Sequence, residues 1–446
     1  MNRFLETLRN IFSIEDLRKR IFLTLGLIFI YRLGCFVVLP GIDPTALQNL
    51  AAQGGKGLLG VFNLFAGGAF TRASIFALGI MPYISTSIVI QLMTLAVPYF
   101  QKLQKEGESG RRTINQYTRR LTVLVAAFQG FAYVKFLTST NSLNPDLNPV
   151  IFALSTTTVL AAGTIFVMWL GEQIQDRGLG NGTSLIIMSN IISRLPGAFK
   201  VEVQSRLAGG GGGLLMLIIE ILLLSAVVVS TIMLIQAIRK VPLSYAKQMA
   251  GNAQYSTRRG FLPLRVNIAG VMPIIFAQAF LFIPATIVQF FPTSAAGGFL
   301  NRMTDFTSIP YNVMMFLLVV LFTYFYTALI MNPTQMADEL KRNNGYVPGV
   351  KPGANTAEFI DTVLSRITLP GAMFLGLIAI MPAFAKALGV NSQFAYFFGG
   401  TSLLITVSVV LDTMAQINTH LLNRHYDGLT KSGAKIRGKI YSDTNY

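Results

Sequence analysis

Long apolar runs alternate with shorter polar stretches along all 446 residues. A helix that crosses a bilayer needs about 20 mostly apolar residues. Ten runs fit that pattern, at approximately 21–39, 74–96, 121–137, 150–170, 183–198, 214–236, 268–290, 311–331, 367–387 and 396–419. They predict an all-α integral membrane protein with ten spans. The first run is not expected to be a removable signal: no small-x-small site follows it, and Pro40-Gly41-Ile42-Asp43-Pro44 reads as a turn. Pro82, Pro273 and Pro284 fall within runs and predict kinks, tolerated where neighbouring helices satisfy the freed carbonyls.

Residues 54–73 fit neither span nor loop. Leu58, Leu59, Val61, Phe62, Leu64 and Phe65 form a helix-like apolar stretch, bracketed by Gly54-Gly55-Lys56-Gly57 and Gly67-Gly68. It is too short to cross a bilayer and leads directly into the second run. Two readings stand: an interfacial helix, or a re-entrant piece tucked into the bundle, where surrounding protein makes it tolerable. Glycine at both ends suits a movable piece.

Composition narrows the class. Apolar residues make up 52% of the chain and charged residues 12%, against roughly 25% charged in an ordinary soluble domain. A soluble enzyme is thereby excluded. The net charge is nevertheless +17. With the N-terminus in the cytoplasm, 27 of the 36 Lys and Arg fall in the inside segments: the two tails and loops 97–120, 171–182, 237–267 and 332–366. This asymmetry predicts that both termini are cytoplasmic. Loop 237–267 carries Arg239-Lys240, Lys247 and Arg258-Arg259, and loop 332–366 carries Lys341, Arg342 and Lys351 beside two Pro-Gly turns. Such a surface suits anionic lipid, an acidic protein face or RNA, although topology alone also demands basic inside loops.

Candidate chemistry is sparse. Cys35 is the one cysteine, inside an apolar run, and the two histidines, His420 and His425, lie near the C-terminus, so a soft-ligand metal site is not expected. There is no GxxxxGK[ST], so no phosphate-binding loop of that type is expected. Gly178, Gly180 and Gly182 form a GxGxG run, but the preceding segment reads as helix rather than the strand a dinucleotide site needs. No cofactor and no catalytic group are expected. In-span charges are Arg32, Glu220 and Asp412. Arg32 calls for a partner or for snorkelling. A secondary transporter is the alternative class, yet transporters keep coupling groups near the midplane and no proton relay is evident here.

Several motifs carry a resemblance. RASIFALGIMPYIS (Arg72–Ser85), KEGESGRR (Lys105–Arg112), MWLGEQI (Met168–Ile174), DRGLGNGTS (Asp176–Ser184), LPLRVNIAGVMP (Leu262–Pro273), YTALIMNP (Tyr326–Pro333) and GGTSLLI (Gly399–Ile405) together resemble the bacterial SecY family of protein-conducting channels, in order and over nearly the whole chain. The resemblance implies two halves of five spans, 1–208 and 209–446, related by inverted pseudo-symmetry and hinged near Gly209–Gly213. It implies an hourglass pore closed by a plug. It also implies a lateral gate between the second and third spans on one side and the seventh and eighth on the other. The function implied is passage of unfolded secretory polypeptides, with lateral release of membrane segments, driven by a bound partner in an inner membrane.

Carried over by motif, the pore ring is Ile80, Ile84, Ile187, Ile275, Ile287 and Ile405. Branched aliphatics suit a constriction that excludes water and ions without bonding to a threading chain. The plug covers about 58–70: Leu58, Leu59, Val61, Phe62, Asn63, Leu64, Phe65, Gly67 and Gly68. The gate is Ser85, Ile88, Gln91, Gln129, Ala279 and Ile283; the family commonly has a more polar residue at Ala279 and an aromatic at Ile283. The basic loops resemble the docking face for the ribosome (rRNA and exit-tunnel protein) and the SecA motor ATPase, with arginine usual where Lys351 stands. SecE and SecG type subunits, signal peptides, nascent chains and lipid complete the implied partners.

Overall fold

A computed structural model describes residues 14–42, 63, 65–139, 148–208, 213–245, 259–290, 305 and 307–442; at 95, 139, 208, 259, 282–290 and 422–442 it describes the backbone alone. Ten long helices coincide with the ten apolar runs: α1 Glu15–Gly34, α2 Met81–Ala96, α4 Glu108–Ser139, α5 Pro149–Arg177, α6 Gly182–Ala208, α7 Gly213–Gln236, α8 Met272–Phe290, α9 Ile309–Ile330, α11 Ala354–Ala387 and α13 Gly400–Ser442. Short helices α3 (Pro98–Lys105), α10 (Pro333–Arg342) and α12 (Ser392–Ala395) and strands β1 (Ile238–Tyr245), β2 (Arg259–Arg265) and β3 (Gly345–Tyr346) complete the described elements.

Six described helices are long and apolar enough to cross a membrane by themselves, and the α2–α3 pair, bent by 94°, brings the number to seven when counted as one span. α1 and α6 fall short for visible reasons. α1 begins with Glu15, Asp16, Arg18, Lys19 and Arg20, and α6 carries Arg194, Lys200, Glu202 and Arg206 beyond its apolar part. Polar side chains inside the spans are largely satisfied within their own helix. The hydroxyls of Thr164, Thr323, Thr327 and Thr368 each donate to the carbonyl four residues back, at 2.6–3.0 Å.

Helix starts follow capping rules. Asn148 accepts from Val150 N (3.1 Å) ahead of Pro149, and Asn332 accepts from Thr334 N (3.2 Å) ahead of Pro333. Two of the three prolines correct the sequence expectation, while Pro284 falls within the backbone of α8 as expected. Pro82 and Pro273 lie in the first turns of α2 and α8, where a missing N–H costs nothing. The prolines within the helix interiors of α6 and α11 are Pro196, Pro370 and Pro382. The second span also starts later than its apolar run, at Met81 rather than 74. Residues 66–80 are a string of turns, because Ser74 pairs with Val38 and Gly79 adopts φ +54°.

The chain divides into two compact units. Described residues up to Ser193, joined by those from Val409 onward, make the first. Arg194–Ser408 make the second. The first unit holds the turn between α5 and α6. There Leu179 N donates to Thr24 Oγ1 (3.1 Å), Gly180 N donates to Gln416 Oε1 (2.8 Å), and a Cβ on Gly182 would lie 1.9 Å from the Gly171 carbonyl. Gly178, Gly180 and Gly182 thus serve close helix packing. The second unit has an apolar core from α8, α9, α11 and α13, including Ile274, Leu281, Met315, Val319, Leu375 and Leu404.

The described parts of the two basic loops fold as one body within the second unit. β1 pairs antiparallel with β2, Arg239 opposite Leu264 and Lys240 opposite Pro263, and with β3, Ser244 opposite Tyr346. The sheet order is β2-β1-β3. Val241, Leu243, Leu264, Val347, Ile360 and Leu364 form its buried core, with α10 and the first turns of α11 packed against it.

Candidate functional site

In the first unit, the end of α1 and residues 63 and 65–80 build a buried knot of chain. Of the expected plug residues, Asn63, Phe65, Gly67 and Gly68 are described; Leu58, Leu59, Val61, Phe62 and Leu64 lie outside the described residues. The described ones are buried: Asn63 is 2% exposed and Phe65 3%. Asn63 Oδ1 accepts from Thr71 N (3.4 Å) and Thr71 Oγ1 (3.1 Å), and Gly68 N donates to the Asn63 carbonyl (2.9 Å). The segment is therefore a knot of turns with its own side-chain cap. Its far end is tied to the end of α1, since Leu39 N donates to Ala73 O (2.9 Å) and Ile75 N to Val37 O (3.0 Å). The Arg72 guanidinium lies over the Phe36 ring, 4.3 Å from its centre.

Surrounding helices hold this knot by polar side chains. Tyr133 on α4 donates to the Phe70 carbonyl at 2.7 Å, and its ring meets Phe70 edge-on at 4.8 Å. Asn190 on α6, fully buried, donates from Nδ2 to the Phe65 carbonyl (2.6 Å) and to the Tyr31 hydroxyl (2.7 Å). Its Oδ1 accepts from Arg32 Nη1 at 3.0 Å. Arg32 thus has the partner its position in a span demanded. Sequence reasoning missed Asn190 and Tyr133; the available signal was an amide in the short fifth run, since polar groups at lipid depth seek partners.

The ring isoleucines are distributed over both units. Ile80 (1% exposed), Ile84 and Ile187 (3%) belong to the first, and Ile275 and Ile405 (2%) to the second. Ile80 is the N-cap residue of α2, and its carbonyl accepts from Ile84 N at 3.1 Å, so the two share a face one turn apart. Ile84 and Ile275 are half-buried. The Ile287 side chain lies outside the described residues.

Among the gate residues, Ser85 Oγ donates to the Met81 carbonyl within its own helix (3.1 Å). Ile88 and Gln91 on α2, Gln129 on α4 and Ala279 on α8 are half-buried, and the Ile283 side chain lies outside the described residues. Gln91 Oε1 is buried with no hydrogen-bond partner among the described residues.

On the sheet of the second unit, Arg239 and Lys240 are exposed, as are Lys341, Arg342 and Lys351. Lys240 Nζ lies 5.0 Å from the centre of the Phe261 ring on the paired strand. The turn at Lys351 is held by Thr356 Oγ1 donating to the Lys351 carbonyl (2.9 Å), and Gly353 precedes α11 at φ +104°, a conformation that favours glycine. Arg259 is described by backbone alone, and Lys247 and Arg258 lie outside the described residues.

One further cluster was not expected. In the second unit Arg206 pairs with Glu202 (3.0 Å) and with Glu220, and donates to the Gly389 carbonyl (2.8 Å). Glu202 Oε2 accepts from Asn391 N at 2.9 Å. No group of His, Cys, Asp and Glu among the described residues could hold a metal ion.

Comparison with known proteins gives this geometry a context. The family model described as SecY matches residues 74–414. The chain is 41% identical over 435 residues to the protein translocase subunit SecY of Streptomyces scabiei, covering 94% of this chain and 98% of that one. Its fold is similar to that of two solved structures at low identity. One concerns a SecY plug domain that stabilises the closed state of its translocation channel and maintains a membrane seal: TM-score 0.61, 15% identity, 90% of this chain and 92% of that one. The other is Sec61 in a canine ribosome–channel complex: TM-score 0.59, 14% identity, 90% and 92%.

Proposed function

The chain belongs to the SecY family and is a multi-pass membrane protein that forms a protein-translocation channel; from that premise we propose how its parts divide the work. Residues about 58–70 are the plug. Ile80, Ile84, Ile187, Ile275, Ile287 and Ile405 form the constriction beneath it. Halves 1–208 and 209–446 open about the Gly209–Gly213 connection, and the lateral gate runs past Ser85, Ile88, Gln91, Gln129, Ala279 and Ile283. Unfolded secretory chains pass through the pore, and signal peptides and membrane segments leave through the gate into lipid.

The single observation that carries this reading is the buried, turn-rich segment 63–80. It sits between the first two helices, is too short to span, and is held by polar groups from α4 and α6. An ordinary interfacial helix would not be enclosed in this way. A transporter would need a coupling group where this segment lies, and Arg32 is instead engaged by Asn190.

The chain has no recognisable nucleotide-binding motif, so its driving energy comes from a partner. We place the termini and the β1-β2-β3 sheet in the cytoplasm of a bacterial inner membrane, where Arg239, Lys240, Lys341, Arg342 and Lys351 present positive charge to the ribosome or the SecA motor. Small subunits of the SecE and SecG type complete the complex. Site-specific crosslinking tests the reading: photoreactive groups at Ile275 and Ile88 should capture a stalled secretory chain. Capture at neither position, with the stalled chain engaged elsewhere on the complex, would remove the pore and the gate together.

A further inference from the structure

We propose that Asn190 is the positioning residue that latches the plug in its closed place, and so sets how strong a signal must be to open the channel. The inference rests on reading residues about 58–70 as the plug, and deepens it by naming what holds that segment.

The chemistry of the contacts fixes the orientation of the amide. Arginine has only donors and a backbone carbonyl only acceptors. Oδ1 must therefore face Arg32 (3.0 Å) and Nδ2 must face the Phe65 carbonyl (2.6 Å). The second N–H goes to the Tyr31 hydroxyl (2.7 Å), so both donors and one acceptor site are engaged in a side chain that is fully buried. Asp at this position would set a carboxylate against the Phe65 carbonyl, and Leu would leave that carbonyl and Arg32 without the amide.

Gly67 shows how closely the plug backbone approaches the latch. It adopts φ +63°, and a Cβ there would lie 2.4 Å from Arg32 Nη1 and 2.5 Å from Asn190 Oδ1. Among the described residues, the latch thus meets the plug at a backbone carbonyl and at a glycine. Tyr31 and Arg32 anchor the amide from α1. The bond broken on opening is Asn190 Nδ2 to Phe65 O, in an enclosed site where an orphaned donor is costly. A signal peptide must offset that loss, so the strength of this contact sets the opening threshold.

The test uses the full chain reconstituted with its copurifying subunits in planar bilayers. Parent, Asn190→Leu, Asn190→Asp, Gly67→Ala and a deletion of 58–68 are compared. The readouts are resting ion conductance for every variant and, for all but the deletion, labelling of Ala66→Cys by a membrane-impermeant maleimide in a Cys35→Ala background. The three point variants should each raise resting conductance and labelling about tenfold. Gly67→Ala pushes the plug backbone away from Arg32 and Asn190 while leaving every helix residue unaltered, so it remains informative if the Asn190 variants fold poorly. A leaky deletion beside point variants as tight as the parent would overturn the latch and leave the plug reading standing. A deletion as tight as the parent would overturn the plug reading itself.

Discussion

Arg206, near the end of α6, is ion-paired with Glu220, near the start of α7, while its Nε bonds Glu202 one turn back. The two carboxylates are 4% and 1% exposed, so one guanidinium serves two buried acids. It also holds the Gly389 carbonyl, and Glu202 holds Asn391 N, which knits both flanks of the Gly209–Gly213 connection to the turn before α12. Removing one partner of a buried ion pair costs about 3–5 kcal/mol, because the remaining charge is left uncompensated. Arg206→Ala should therefore lower the thermal unfolding midpoint of the purified complex in detergent. Adding Glu220→Gln to Arg206→Met should recover part of the loss. A double variant no better than Arg206→Ala would mean that packing, and not charge, accounts for the effect.

Tyr133 and Phe70 allow a milder perturbation of the same region that Asn190 holds. The Phe70 carbonyl accepts from Tyr133 Oη at 2.7 Å and also from Ala73 N at 3.2 Å. Tyr133→Phe keeps the edge-on ring contact and leaves that carbonyl one partner. The loss is then the net value of a single hydrogen bond, about 0.5–1.5 kcal/mol. Resting conductance should rise by a few-fold, less than for Asn190→Leu, with little change in thermal midpoint. Equal leaks from the two variants would show that hydroxyl and amide contribute alike to holding the segment.

Much of this was legible in the chain, for reasons that differ by residue. Each apolar run met a helix because about 20 consecutive apolar residues in lipid have few other ways to satisfy their backbone. Boundaries shifted where local chemistry overrode the run. Residues 74–80 are apolar but not helical, since the bridge of Ser74 to Val38 and the left-handed Gly79 break the helix before Pro82 starts it. The joining of loops 237–267 and 332–366 through Ser244 and Tyr346 was hidden, because a two-residue strand has no periodicity to read. Asn190 was hidden for another reason: its three partners lie 125, 158 and 159 residues away in sequence, and no local pattern reports such contacts. Arg206 was half visible, being four residues after Glu202, but its pairing with Glu220 required the α6–α7 turn.

The shared sheet changes what charge reversal should do. Arg239 and Lys240 on β1 and Lys351 in the turn before α11 belong to one folded body with one apolar core. Reversing all three to Glu should weaken binding of ribosomes or of the SecA motor by an amount that shrinks as salt rises, because exposed charges are screened beyond about 10 Å at 0.1 M salt. Swapping Lys351→Arg alone should strengthen a contact that accepts a planar fork, and leave a purely electrostatic one unchanged. Titration of labelled ribosomes or motor onto reconstituted channel at several salt concentrations separates these outcomes. Unaltered affinity at low salt would remove this face from the docking surface.

The proposed isoleucine ring yields the last prediction. Ile80 and Ile84 are linked through the first backbone bond of α2, so their side chains are offset by one turn and present two aliphatic groups on one face. Ile275 immediately follows Ile274, which is buried in the core of the second unit, and is itself half-buried. A constriction lined by branched aliphatics resists ions because water wets it poorly, and hydroxyls remove that resistance with little change in width. Ile80→Ser, Ile84→Ser and Ile275→Ser combined should make resting bilayers conduct, and should do so even with the plug latched. Conductance that appears in the triple serine variant but vanishes in Ile80→Val, Ile84→Val, Ile275→Val identifies wetting as the cause. Conductance equal in both would point to lost volume instead, and none in either would place the seal elsewhere.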